Sequence, residues 1–268
     1  MSSYYIPVDN NVKHQIVSLL SDAVQNDVKE IMATHYLGFF NSVHFLTWDF
    51  IYTRVYKRLN NENIICIKCR RGPWSFVLVY DLQSKYLYSF MKDKRLDQLI
   101  GERKNRSTIH YLDALVTLNT GINELNFNMT NVEQQLELLP LEEDSDWLKA
   151  VEKILRDMLG IYYGKIEKYV TITFNQFKGE VQSVKATLLS PNMDIIYQED
   201  WSEFINVDYD KSDYSNFNDW NFDDDENEED DLVKLKPDVE EEFINKDGSE
   251  EIVGLKTEDK EQQEKEEG

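Results

Sequence analysis

The chain has 268 residues, with 51 Asp and Glu against 29 Lys and Arg, a net charge of −22 and two cysteines. That length suits one or two domains with a substantial core. Two cysteines exclude a disulfide-stapled secreted scaffold, and no apolar run nears the ~20 residues that cross a bilayer. The opening Met1-Ser-Ser-Tyr-Tyr-Ile-Pro7 lacks the basic-then-apolar pattern of a signal peptide, so the expected location is the cytoplasm.

The charge is unevenly spread. Residues 201–268 hold 26 acidic against 7 basic residues, whereas residues 54–106 hold 13 basic against 5 acidic. A basic region and a strongly acidic segment therefore share one chain.

Taken in order, Asp9 or Asn10 caps a long helix. Its apolar stripe is Val12, Ile16, Leu19, Leu20, Ala23, Val24, Val28, Ile31 and Met32, at helical spacing. Gly38 marks its exit. A second helix runs from Ser42 or Thr47 to Leu59, with Phe50, Ile51, Val55 and Leu59 inward and Arg54, Lys57 and Arg58 outward. Residues 64–92 read as three strands joined by turns at Gly72-Pro73 and Leu82-Gln-Ser-Lys85. Phe76 to Tyr80 is apolar on both alternating faces, which predicts a strand covered on both sides.

A short charged helix comes next, from residue 93 to about Gly101. Ser107 or Thr108 is the expected cap of a helix through about Asn119, and Val132, Leu136 and Leu139 allow another. From Ser145 an amphipathic helix carries Trp147, Leu148, Val151, Ile154, Leu155, Met158 and Leu159 on one stripe, and Gly160 ends it. Strands are expected over Tyr169–Phe174, Val181–Leu189 and Asp194–Tyr197, joined by turns at Lys178-Gly179 and Ser190-Pro-Asn192. Nothing local says whether they complete the first sheet or form a second.

Beyond residue 200 the chain is mostly Asp, Glu, Asn and Ser. Such a composition buries too little apolar area to offset the entropy of ordering, so residues 201–268 are expected to be a disordered acidic tail. The expected fold class is α+β over residues 1–200. Helices pack on a mostly antiparallel sheet, an α-β-β-β-α core with C-terminal strands added.

Cys66-Ile-Lys-Cys69 has the spacing of a metal or redox pair. In a strand, an odd separation points the thiols to opposite faces, so two buried free thiols are expected and no metal. His14, His35, His44 and His110 are scattered. No phosphate-binding loop, nucleophile elbow, zinc-protease helix or dinucleotide turn is present, so no catalytic residue and no cofactor is assigned.

The basic band is more concrete. Arg70, Arg71, Lys92, Lys94, Arg95, Arg103, Lys104 and Arg106 fall near the strand ends and the following loop, with Trp74 beside them. Cations with an aromatic suit a surface that tracks phosphates and stacks bases, so these nine residues form the expected nucleic-acid site. In the acidic segment Tyr209, Tyr214, Phe217, Trp220 and Phe222 form an aromatic-acidic motif expected to engage a protein partner. The same segment can compete for the chain's own basic band as a tethered polyanion.

Two resemblances bear on this. The order of one helix, three antiparallel strands, a helix and a strand resembles the restriction-endonuclease-like nuclease fold. That resemblance implies a metal-binding acid near Asp81 and an acid-x-Lys on the third strand. Lys92 is present, but Phe90 stands where the second acid belongs.

The segments Trp48-Asp-Phe-Ile-Tyr-Thr-Arg54, Arg71-Gly-Pro-Trp74, Tyr80-Asp81, Leu87-Tyr-Ser-Phe-Met-Lys92 and His110-Tyr-Leu-Asp-Ala-Leu115 resemble a bacterial, mainly Gram-positive family of unknown function over about residues 5–200. That family supplies no catalytic residues.

The leading expectation is a non-enzymatic interaction or regulatory protein with an unknown partner, of a kind tied to mobile elements or phage conflict. The alternative is a nucleic-acid-binding or degenerate nuclease-like protein whose acidic tail masks its basic surface.

Overall fold

The computed structural model describes residues 5–35, 41–106, 108–120 and 145–205. Gly38, Ser107, residues 122–143, and the aromatic residues Tyr209, Tyr214, Phe217, Trp220 and Phe222 lie outside the described residues.

Asp9 caps helix α1 (Asn10–Asp22), its carboxylate accepting from the Asn11 amide at 2.8 Å. The helix runs through a π turn (Ala23–Asp27) into α2 (Val28–His35). A π turn closes i to i+5, which aligns Asp22 and Asp27 on one side. Arg54 uses that alignment. Its Nε and Nη2 donate to Asp27 at 2.5 and 2.6 Å, and its Nη1 donates to Asp22 at 3.1 Å. The side chain expected to face outward thus pins α3 (Val43–Leu59) to both ends of the π turn.

Three strands come after α3: β1 (Ile64–Arg71), β2 (Trp74–Asp81) and β3 (Tyr86–Lys92). They pair antiparallel in sequence order. Asp81 makes the second turn, accepting from the Gln83 amide at 2.9 Å and the Ser84 hydroxyl at 2.7 Å.

Helices α4 (Asp93–Glu102), α5 (Tyr111–Val116) and α6 (Ser145–Leu159) come next. The chain then returns to the same sheet. β4 (Lys168–Phe177) lies parallel to β3, and β5 (Glu180–Leu189) and β6 (Ile195–Asp200) extend the sheet antiparallel. One mixed sheet of six strands results, in the order β1-β2-β3-β4-β5-β6. A parallel neighbour requires a long connection, and the helices between β3 and β4 belong to it.

The fold is α+β, with helices on both faces of this sheet. Cys66 and Cys69 report the two sides. The Cys66 thiol lies 3.6 Å from the Val55 carbonyl of α3, and the Cys69 thiol 3.5 Å from the Met158 carbonyl of α6. Both are buried and free, and burial pushes both thiols up to about 12. On the α3 side Trp48 packs edge-on against Phe174, and α1 joins α3 and β5 there. On the α6 side Phe76 of β2 stacks on Tyr111 of α5 at 4.8 Å.

Two polar devices fix the middle of the sheet. Asn119 receives no solvent. Its amide donates to the carbonyls of Tyr169 and Leu189, both at 2.8 Å, and its oxygen accepts from the Tyr169 amide at 2.7 Å. This satisfies buried backbone groups where α5 ends and clamps β4 to the end of β5. Beneath it the Tyr169 hydroxyl meets Ser89 at 2.5 Å and Thr171 at 2.9 Å.

Packing continues past residue 200. Trp201 is fully buried, with Lys13 of α1 at 5.7 Å over its ring. Lys13 also ion-pairs with Glu199, and His14 meets Phe204 edge-on. Trp201, Phe204 and Ile205 thus pack with the core that α1 covers. The sequence cue at this point is a lone Trp at the start of an acidic stretch, and burial outweighs that composition.

Candidate functional site: an arginine cluster at the start of α5

The loop from α4 to α5 gathers cations from separate elements. Arg71 ends β1, Arg95 sits in the first turn of α4, and Arg103 and Arg106 come after α4. His110 then caps α5. Its Nδ1 accepts from the Leu112 amide at 3.1 Å, while Asp113 accepts from the His110 amide at 2.9 Å. This is a capping box built on His-x-x-Asp, where Ser107 or Thr108 was the expected cap. The spacing is visible in the sequence, but histidine is not among the usual capping residues.

Asp113 is the buried counter-ion. Both of its oxygens accept from Arg106 Nη2 at 2.8 Å, and Arg103 Nε lies 3.8 Å away. Arg103 also donates to the Pro191 carbonyl at 2.7 Å, tying the loop to the β5–β6 turn. Arg95 donates to Gln98 at 2.8 Å, and Gln98 donates to Glu102 at 3.0 Å.

Among the described residues, Arg103 and Arg106 both draw on the carboxylate of Asp113. Arg106 Nε and Nη1 are buried without a hydrogen-bond partner. Burial, then the charges of Arg95, Arg106 and Arg71, hold His110 well below its ordinary value. Burial likewise lowers Arg103, and Arg106 adds to it against the pull of Asp113 and Asp194. With Nδ1 engaged as an acceptor and protonation disfavoured, His110 is the neutral Nε2–H tautomer. An excess of guanidinium groups around a neutral imidazole attracts oxyanions.

The nine residues of the expected nucleic-acid site are not all in one place. Arg71, Arg95, Arg103 and Arg106 converge on His110 and Asp113. Lys94 and Lys104 are exposed on and after α4. Arg70 is exposed and donates to the Gly72 carbonyl of its own turn. Trp74 packs near Phe45 of α3 at 6.0 Å, and Phe45 is itself 45% exposed. Lys92 is buried, and the β3–β4 register puts it opposite Phe174, on the α3 side of the sheet.

The nuclease-like arrangement does not assemble. The β2–β3 register continues to bring Asp81 opposite Tyr86, at the start of β3, while Lys92 ends that strand. At about 3.3 Å per residue the two lie roughly 20 Å apart along the strand. Asp81 is engaged in its turn, and Phe90 is buried. Among the described residues no three His, Cys, Asp or Glu side chains group as metal ligands, and no helix is long and apolar enough to cross a membrane.

No curated protein and no solved structure matches the chain. A family model does match, and it runs past residue 200 through most of the acidic segment. The matching model, a family of unknown function (DUF5986), covers residues 5–255, and the chain belongs to that family.

Proposed function

We propose that the protein is a non-catalytic nucleic-acid-binding protein restrained by its own acidic segment. The observation that carries this reading is the convergence of four arginines from three separate places in the chain: Arg103 and Arg106 meet at Asp113, and Arg71, Arg95 and Arg106 act on His110, which Asp113 caps. Lys94 and Lys104 extend the positive surface, and exposed Phe45 with Trp74 offers aromatic rings near Arg70. Phosphates then contact the cations, and rings supply sequence-tolerant stacking. The 25 acidic residues of 206–268 act as a tethered competitor for the same cations.

The test is fluorescence anisotropy of single- and double-stranded oligonucleotides across a salt series. The full chain is compared with a chain ending after Ile205, a cut that keeps Trp201. The truncated chain binds more tightly than the full chain, with a steep loss as salt rises. Replacing Arg71 or Lys104 by Ala lowers the salt slope by about one each. Absence of binding by both chains at low salt sinks the reading, and it directs the search to a protein partner of the aromatic-acidic motif.

A further inference from the structure

We infer that the arginine cluster at the start of α5 is a binding site for a single phosphate group, held by Arg106 and Arg71 beside His110. As to the source of the phosphate, this deepens the nucleic-acid reading and rests on it; the site itself is testable with inorganic phosphate alone.

Four observations support it. Arg106 spends one nitrogen on both oxygens of Asp113, which leaves the buried Nε and Nη1 without acceptors. Unpartnered buried donors on a charged group are costly, and an oxyanion satisfies them. The local charge is also uneven: Arg103 and Arg106 share one buried carboxylate, Asp113. The fields of Arg71, Arg95 and Arg106 meet at His110, so an anion placed there interacts with all three. The rim of the cluster is open, because His110, Arg71 and Arg103 each keep a partly exposed surface, while Arg106 Nε and Nη1 lie below that surface.

His110 suits a phosphate in a further way. Its Nδ1 is occupied by the Leu112 amide, so its Nε2–H remains a donor. A neutral donor within a ring of guanidinium groups takes a phosphate oxygen without adding to the cation repulsion. The groups facing His110 are Arg71 from β1, Arg95 from α4, Arg106 from the loop, and Asp113 and Tyr111 from α5. A bound anion opposes the three cations, so it raises the readiness of His110 to take a proton.

The experiment follows the His110 imidazole of the full chain by NMR through a pH titration. The protein is read without added anion, with inorganic phosphate and with chloride at matched ionic strength. Phosphate is expected to move the His110 midpoint up by about one pH unit while chloride leaves it unchanged. Arg106→Lys weakens the phosphate effect at least tenfold in concentration. Arg71→Ala, at a strand end and only partly buried, does the same. An unmoved His110 midpoint at tens of millimolar phosphate overturns the site, as does a midpoint that moves in both variants as it does in the parent chain.

Oligonucleotides with a 5′-phosphate or a 5′-hydroxyl then separate the sources. A shift by the phosphorylated strand alone assigns a terminal phosphate, and a shift by both assigns a backbone phosphate. A shift with inorganic phosphate and none with either strand keeps the site and removes the nucleic-acid reading. Strand binding that leaves His110 unmoved does the reverse.

Discussion

Arg54 and Arg106 are both arginines held by aspartates between elements, and they differ in how their charge is met. Arg54 directs three nitrogens at two carboxylates, Asp22 and Asp27, so each nitrogen of the guanidinium has an acceptor. Its charge is over-compensated, and the neighbouring acids raise it. Arg106 directs one nitrogen at one carboxylate and leaves two without partners. Arg103 shares that carboxylate, and the charges of Arg71, Arg95 and Arg106 meet at His110 beside it. The first arrangement is complete as a structural joint. The second is complete only with an anion, and that difference separates a brace from a site when both look like buried ion pairs.

The largest expected effect comes from removing the carboxylate at the incomplete cluster. Asp113→Ala takes away the acceptor of both Arg106 bonds and the second half of the capping box. Breaking a buried pair in this way costs about 3–5 kcal/mol. Urea unfolding of the variant should show that loss, and inorganic phosphate should restore more stability to the variant than it adds to the parent chain. Equal responses of the two chains would mean that the cluster is as closed to anions as the Arg54 joint.

At the brace, Arg54→Met keeps the apolar stem and removes the charge. It leaves Asp27 without two donors and unties the π turn from α3, for a cost of about 2 kcal/mol. Phosphate should leave this variant's relative loss unchanged, since its cations and acids were already matched. A phosphate response as large as that of Asp113→Ala would erase the distinction between the two places.

The two clusters were unequally legible in the sequence. Hairpins and long helices arise from local pattern: period-two runs broken by Gly72-Pro73 and Lys178-Gly179, and the apolar stripe of α6. The concentration of cations over residues 54–106 is likewise plain. What joins them is not local. The partners of Arg54 lie 27 and 32 residues earlier, and no periodicity links them. The parallel β3–β4 pairing brings together strands separated by about 75 residues and, among the described residues, by the helices α4, α5 and α6, so the sequence leaves one sheet and two sheets equally open. Lys92 looks like a member of the basic band, but strand alternation carries it to the other face. Trp201 is hidden by the acidic composition of the residues after it. His110 as a cap was within reach, because Asp113 stands at the capping-box position, yet the serine and threonine nearby are the commoner choice.

His110 gives a smaller effect with a definite sign. Its ordinary value is about 6.5, and the folded chain holds it well below that. At higher pH it is neutral folded and unfolded, and it contributes nothing to the pH dependence. As pH falls through about 6.5 the unfolded chain takes up a proton that the folded chain refuses, so stability declines. Between pH 6.5 and 5.5 the loss from this residue is about 1 kcal/mol. His110→Asn keeps a capping acceptor and does not titrate, so the difference between the two chains in thermal unfolding should grow in the variant's favour over that interval. A difference that stays constant with pH would mean that His110 is protonated as readily in the folded chain as in the unfolded one.

The smallest effect tests whether the cation excess is retained at the expense of stability. Arg71 adds its charge to a place that already has Arg95, Arg103 and Arg106, and it is only partly buried. Replacing it by Gln relieves like-charge repulsion and removes little packing, so the variant should unfold at a slightly higher denaturant concentration, a gain of about 0.5 kcal/mol. The same change should weaken phosphate and oligonucleotide binding. At Arg54, by contrast, every substitution should lose stability and none should affect binding. A residue whose removal stabilises the fold and weakens the ligand is held there by the ligand. If Arg71→Gln is destabilising instead, Arg71 has a structural partner of its own, and the excess of charge at the start of α5 is smaller than the arrangement around His110 indicates.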